Sequence, residues 1–92
     1  MKLLGREMLE FFLISHADAR GAIATWTAEV EVASWKSPHD VKSRYASASF
    51  LGGGLVIFNI KGNAYRLEAK VTYNTPVVLV TWIGTHAEYS KR

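Results

Sequence analysis

The chain has 92 residues, 49% of them hydrophobic, no cysteine and a formal net charge of +3. That length supports one domain with one core, so residues 1–92 read as a single unit, and the apolar content excludes a disordered chain. The lack of cysteine excludes disulfides and thiolate metal sites, in keeping with a reducing cytoplasm.

In chain order, Lys2 to Leu4 reads as a short edge strand and Arg6 to Ser15 as a helix rich in Met8, Leu9, Phe11, Phe12 and Leu13. The opening "MKLLGREMLEFFLISHADA" has the outline of a signal peptide. Arg6, Glu7 and Glu10 interrupt its apolar run, so a signal peptide is not expected. No other apolar run approaches the roughly 18 residues of a membrane span, and no membrane association is expected. Asp18 is placed as the N-cap of a second helix. In it Ala19, Ala22, Ile23, Trp26, Val30 and Ala33 recur at helical spacing, one apolar stripe to be buried. "SPHD" opens a third, short helix, with Ser37 capping, Pro38 at the first helical position and Asp40 in a box-like place. Lys42 and Arg44 ride on it, with Val41 and Tyr45 on its apolar side. "LGGG" (51–54) breaks the chain before the sheet.

From Leu55 onward the pattern is strand. "LVIFNI", "AYRLEAKVTY" and "VVLVTWI" are separated by the turns "KGNA" and "NTP". Helices followed by an antiparallel meander mean an α+β domain, its helices packed on one face of a small antiparallel sheet. With Gly62-Asn63 as the hairpin loop, Asn59 lies opposite Arg66 and Ile60 opposite Tyr65. Alternation with period two then puts Val56, Phe58, Ile60, Tyr65, Leu67, Ala69 and Val71 on the face under the helices. The open face carries Asn59, Lys61, Arg66, Glu68, Lys70 and Thr72. Glu68, between Arg66 and Lys70, reads as an ordinary surface ion-pair partner. The third strand returns so that Ile83 or Gly84 lies opposite Arg66, which brings the segment from Thr85 to Tyr89 beside Arg66 and Lys61.

Charge is divided unevenly. Residues 1–35 hold three basic and five acidic side chains, −2, and residues 36–92 hold eight and three, +5. A basic half suggests a polyanion partner. "THAE" fits a capping box, Thr85 as cap and Glu88 reaching back, at the start of a short final helix. Capping leaves His86 and Tyr89 unexplained, and three apart they share a helix face. One metal-free reaction suits the set, RNA cleavage by attack of a 2′-hydroxyl on the adjacent phosphate. His86 is suited to proton transfer near pH 7, Arg66 and Lys61 to the developing charge, and Tyr89 to base stacking or proton transfer. His16, His39 and His86 are scattered without metal-ligand spacing, so neither a metal nor another cofactor is expected.

The segments "WKSPHDVKSRYASASF", "VIFNIKGNAYRL" and "GTHAEYS" together resemble HigB-type toxins of the RelE superfamily, over nearly the whole chain from Lys2 to Tyr89. The resemblance implies a RelE-like fold and a ribosome-dependent mRNA interferase, an endoribonuclease that inhibits translation. It implies two partners, mRNA on the ribosome and a HigA-like helix-turn-helix antitoxin, with operator DNA bound only through the antitoxin. By position, Arg66 matches the superfamily's phosphate-binding arginine, and His86 and Tyr89 match the C-terminal catalytic segment. Lys61, Asn59 and Asn63 match the hairpin lining the site, and Lys36 matches a basic position of the pattern. These readings make His86, Tyr89, Arg66 and Lys61 the candidate catalytic residues. Lys36, Asn59, Asn63, Lys70, Lys42 and Arg44 are the candidate RNA contacts.

The chain departs from that pattern where many relatives carry arginine and it has Thr81, at Ala64, at Ser90, and in a tail that ends at Arg92. The alternative expectation is therefore a catalytically weak or inactive module of the same fold that binds the antitoxin and serves operon autoregulation.

Overall fold

A computed structural model describes residues 1–92. Its strands are β1 (Lys2–Leu4), β2 (Ser49–Phe50), β3 (Leu55–Ile60), β4 (Tyr65–Thr72) and β5 (Val77–Thr85); its helices are α1 (Arg6–Ser15), α2 (Arg20–Val32), α3 (Pro38–Arg44) and α4 (His86–Ser90). The fold is α+β, with the five strands in the order β1-β5-β4-β3-β2. The sheet is mixed rather than purely antiparallel, because β1 runs parallel to β5. No helix is long and apolar enough to cross a membrane.

The helices cover one sheet face. Leu9, Phe12, Leu13, Ile23, Trp26 and Val30 meet Val56, Phe58, Ile60, Tyr65, Leu67, Ala69, Val71, Val78 and Val80 in one buried cluster. The α2 stripe is buried as its spacing requires, with Ala22 and Ala33 packed at its margin. Each large apolar side chain so buried stabilises the fold by about 1.5–3 kcal/mol before chain entropy is counted. Trp26 and Tyr45 both meet Phe58 edge-on, with ring centroids 5.3 and 5.2 Å apart. Between β1 and α1 the chain turns at Gly5, with φ of 89°. A Cβ there would sit 2.8 Å from the Val80 carbonyl oxygen, so the turn needs glycine.

Two expected caps take other forms. Asp18 does not cap α2; it lies in a single 3₁₀ turn (Ala17–Ala19), and its carboxylate accepts from Lys61 and Tyr65. Ser37 precedes α3 without a side-chain cap bond, and the Asp40 carboxylate instead accepts from the Lys36 N–H at 2.8 Å.

The β3–β4 hairpin has the expected register, Asn59 opposite Arg66 and Ile60 opposite Tyr65. The β4–β5 pair contains a bulge. Glu68 pairs with Trp82 and Ala69 with Val80, which leaves Thr81 as the extra residue on β5. The bulge reverses the alternation of β5. Val78 and Val80 face the core before it, and Ile83 packs against the core after it. Trp82 and Gly84 are thereby turned to the open face, opposite Glu68 and Arg66.

Candidate active site on the open sheet face

The open face of β4 and β5 and the first turns of α4 enclose a cleft of about 460 Å³, lined by Leu51, Arg66, Glu68, His86, Tyr89, Ser90 and Arg92. Strand alternation delivers Arg66 and Glu68 to it while Leu67 points into the core. α4 starts where β5 ends, and its direction is set by two devices. The first is a full capping box: Glu88 N–H donates to Thr85 Oγ1 at 3.1 Å, and Thr85 N–H donates to Glu88 Oε1 at 2.7 Å. The backbone N–H of Thr85, then its hydroxyl, hold the Glu88 carboxyl below its ordinary value of 4.5. The second is a main-chain bond from His86 N–H to the Ala64 carbonyl at 3.0 Å, which ties α4 to the hairpin turn.

Gly84 lets this helix close over the sheet. A Cβ at Gly84 would sit 2.5 Å from Cη2 of Trp82 and 2.9 Å from the Glu88 carboxylate. The Trp82 indole therefore lies across the Gly84 backbone, with its ring centroid 6.1 Å from that of Tyr89. The pair forms an aromatic wall at one side of the cleft.

Of the candidate catalytic residues, Arg66, His86 and Tyr89 are brought together. Arg66 is half-buried, its one hydrogen bond runs to the Asn63 carbonyl at 3.4 Å, and no carboxylate lies within 4.0 Å of it. Lys61 is placed elsewhere, which corrects the expectation that it shares the open face with Arg66. Its backbone is left-handed, φ 53°, so the strand alternation stops before it. The ammonium swings toward the helices and pairs with Asp18 at 2.9 Å. Tyr65 donates to the same carboxylate at 2.7 Å. Lys61, then Tyr65, hold Asp18 below the ordinary 3.8, and the bond to Asp18 in turn raises the Tyr65 phenol above 10.0.

None of the candidate RNA contacts lines the cleft. Asn59 lies directly across the ladder from Arg66, and its amide donates to the Ser47 carbonyl at 3.4 Å. Asn63 holds Arg66 through its carbonyl, and Lys70 is exposed further along β4. Lys36 is exposed before α3. On α3, Lys42 donates to the Ala48 carbonyl at 2.8 Å, and Arg44 pairs with Glu29 and stacks on Tyr45.

Leu51, Glu68, Ser90 and Arg92 also line the cleft without having been sequence candidates, and two of the four are charged. Glu68 is 8% exposed, and it is the one buried charged residue. Its partners are the Thr81 hydroxyl, which donates to Oε1 at 2.8 Å, and the Arg92 guanidinium, 3.2 Å from Oε2; they are not the flanking Arg66 and Lys70. Arg92 also lies over the Trp82 ring, 4.6 Å from its centroid. The signal for Arg92 was its spacing, since 86, 89 and 92 continue one helical face in steps of three. The bulge that exposes Trp82 to the guanidinium left no such mark.

Residues 19–92 match the family model HigB_toxin, described as the RelE-like toxic component of a toxin–antitoxin system. The match spans most of the chain and every element from α2 to α4, and the chain belongs to this family. No curated protein matches it.

Proposed function

From the premise that this chain is a HigB-type toxin of a toxin–antitoxin system, we propose that it is an mRNA interferase, an endoribonuclease acting on ribosome-bound mRNA without a metal. The observation that carries this reading is the convergence of Arg66, His86 and Tyr89 on one cleft. The 2′-oxygen attacks the adjacent phosphorus as its proton passes to a base, and the P–O5′ bond breaks as an acid protonates the leaving oxygen. A 2′,3′-cyclic phosphate and a 5′-hydroxyl result. His86 and Tyr89, on one face of α4, take the two proton transfers. Arg66, with no carboxylate partner, neutralises charge on the phosphate. Lys61, held on Asp18, supports the hairpin that anchors α4.

So sparse a set gains from a substrate positioned by another body, and positioning can contribute about 7–11 kcal/mol. Translating ribosomes supply it, so naked RNA is a poor substrate and the place of action is the cytoplasm. Neutralisation falls to a helix-turn-helix antitoxin, through which the pair reaches operator DNA. The test is primer extension on mRNA from a purified translation system, with wild type, His86→Ala and Arg66→Ala. Cuts confined to translated codons and lost in both variants support the reading. A folded wild type that makes no cuts yet binds its antitoxin overturns it, in favour of a binding module.

A further inference from the structure

We propose that Arg92 is a second phosphate ligand of the cleft, so that a phosphodiester is clamped between two guanidinium groups, Arg66 and Arg92. This rests on the reading of the cleft as an RNA site and adds a residue to it. Arg92 is held in place from two directions. Its guanidinium carbon lies over the Trp82 ring, 4.6 Å from the centroid, and 5.7 Å from the centroid of the Tyr89 ring. Its Nη2 meets Glu68 Oε2 at 3.2 Å. Glu68 is itself fixed by the Thr81 hydroxyl on its other oxygen. A guanidinium has five N–H donors, and a single contact to one carboxylate oxygen leaves most of them for a ligand.

Charge points the same way. Arg66 and Arg92 face Glu68 alone among the acidic cleft residues, so the lining carries a net positive charge even with the Glu68–Arg92 pair formed. The Arg92 side chain is 38% exposed, open to an incoming anion, whereas that of Glu68 is 10% exposed and serves as its anchor. The two other ion-paired arginines, Arg6 with Glu31 and Arg44 with Glu29, lie outside the cleft. A cation held over an aromatic ring, with several N–H donors still to offer an anion, is a role that suits arginine better than lysine.

The test is a titration of the full chain, its arginine side chains labelled with ¹⁵N, with a dinucleoside monophosphate whose 2′-oxygen is methylated. Such a ligand binds without being cut. We expect the Nε–H resonances of Arg66 and Arg92 to move on one binding curve while those of Arg6 and Arg44 stay still. Arg92→Ala should weaken binding at least about tenfold, the size of one lost charge-assisted contact, with an unchanged far-UV spectrum. Arg92→Lys should restore only part of that loss. Movement of Arg66 without Arg92, or an Arg92→Ala variant that binds as tightly as wild type, overturns the proposal and leaves the interferase reading standing. If neither arginine moves, the cleft takes no free phosphodiester and the proposal for Arg92 falls, while the interferase reading stands or falls on cleavage in the translation system. Because the ligand is uncleavable, a chain without turnover still reports on Arg92.

Discussion

The Thr81 hydroxyl donates to the Glu68 carboxylate at 2.8 Å, from the extra residue of a β-bulge to the one buried acid of the sheet. Where the family pattern leads one to look for a strand cation, this chain has a neutral donor facing an anion. The anion in turn holds a cation, Arg92, that reaches the same cleft from beyond α4.

Thr81→Val keeps the shape of the bulge residue and removes the donor. A bond to a charged, buried acceptor is worth about 1.5–3 kcal/mol. Urea denaturation should show a loss in that range with an unchanged m-value. A loss below about 0.5 kcal/mol would mean that the hydroxyl contributes nothing net.

Gly84→Ala should disturb α4 and the aromatic wall together. The new methyl group meets both the Trp82 ring and the Glu88 carboxylate of the capping box. Overpacking of this kind costs about 1–3 kcal/mol. The expected outcome is a lower thermal midpoint and altered Trp82 fluorescence, with the core spectrum in the far ultraviolet retained. A variant with wild-type fluorescence would show that the indole does not lie over Gly84.

Gly5→Ala acts far from the cleft and by another mechanism. It asks a Cβ to enter the left-handed region within 2.8 Å of a carbonyl oxygen. Strain of this kind costs on the order of 1–3 kcal/mol, and about 4–8 °C of melting temperature per kcal/mol is expected for a domain of this size. Cleavage per folded molecule should be unaffected.

Asp18 and Glu88 both have folded values below their ordinary 3.8 and 4.5. A lowered carboxylate stabilises the fold fully above its unfolded value and progressively less as pH falls through the folded one. Stability should therefore be flat above about pH 5 and fall below it on these two accounts. Denaturation midpoints measured across pH 2–6 should show a shallower fall in Asp18→Asn. An unchanged slope would remove the Lys61–Asp18–Tyr65 cluster from the explanation.

Tyr89→Phe and His86→Ala should each lower single-turnover cleavage on translating ribosomes by about 10²–10⁴, the usual span for a proton-transfer group. His86 is exposed and Tyr89 half-buried, so neither change should alter the free energy of unfolding by more than about 0.5 kcal/mol. The arm of the pH–rate profile that disappears in each variant identifies which group is the base and which the acid.

Much of this site was legible because it rests on local periodicity. Period-two alternation placed Arg66 on the open face and Leu67 in the core, and the hairpin residues set Asn59 opposite Arg66. Spacing of three put His86 and Tyr89 on one side of a helix whose capping box is written in "THAE". The α2 stripe declared its buried face in the same way. These features need only neighbouring residues, so sequence alone determined them.

Tertiary structure decided the rest. Whether Ile83 or Gly84 faces Arg66 turns on one bulge residue, Thr81, and a one-residue slip exchanges every side chain between core and cleft. The core accepts Ile83 after the bulge, and the larger Trp82 is left to the open face, where Arg92 stacks. Lys61 leaves that face because its left-handed backbone and the Asp18 carboxylate, 43 residues away, draw it to the other side. Glu68 changes from surface decoration to buried anchor only when Thr81 and Arg92 arrive from distant parts of the chain. Each of these outcomes depends on a partner that the fold brings into contact, and local periodicity does not specify it.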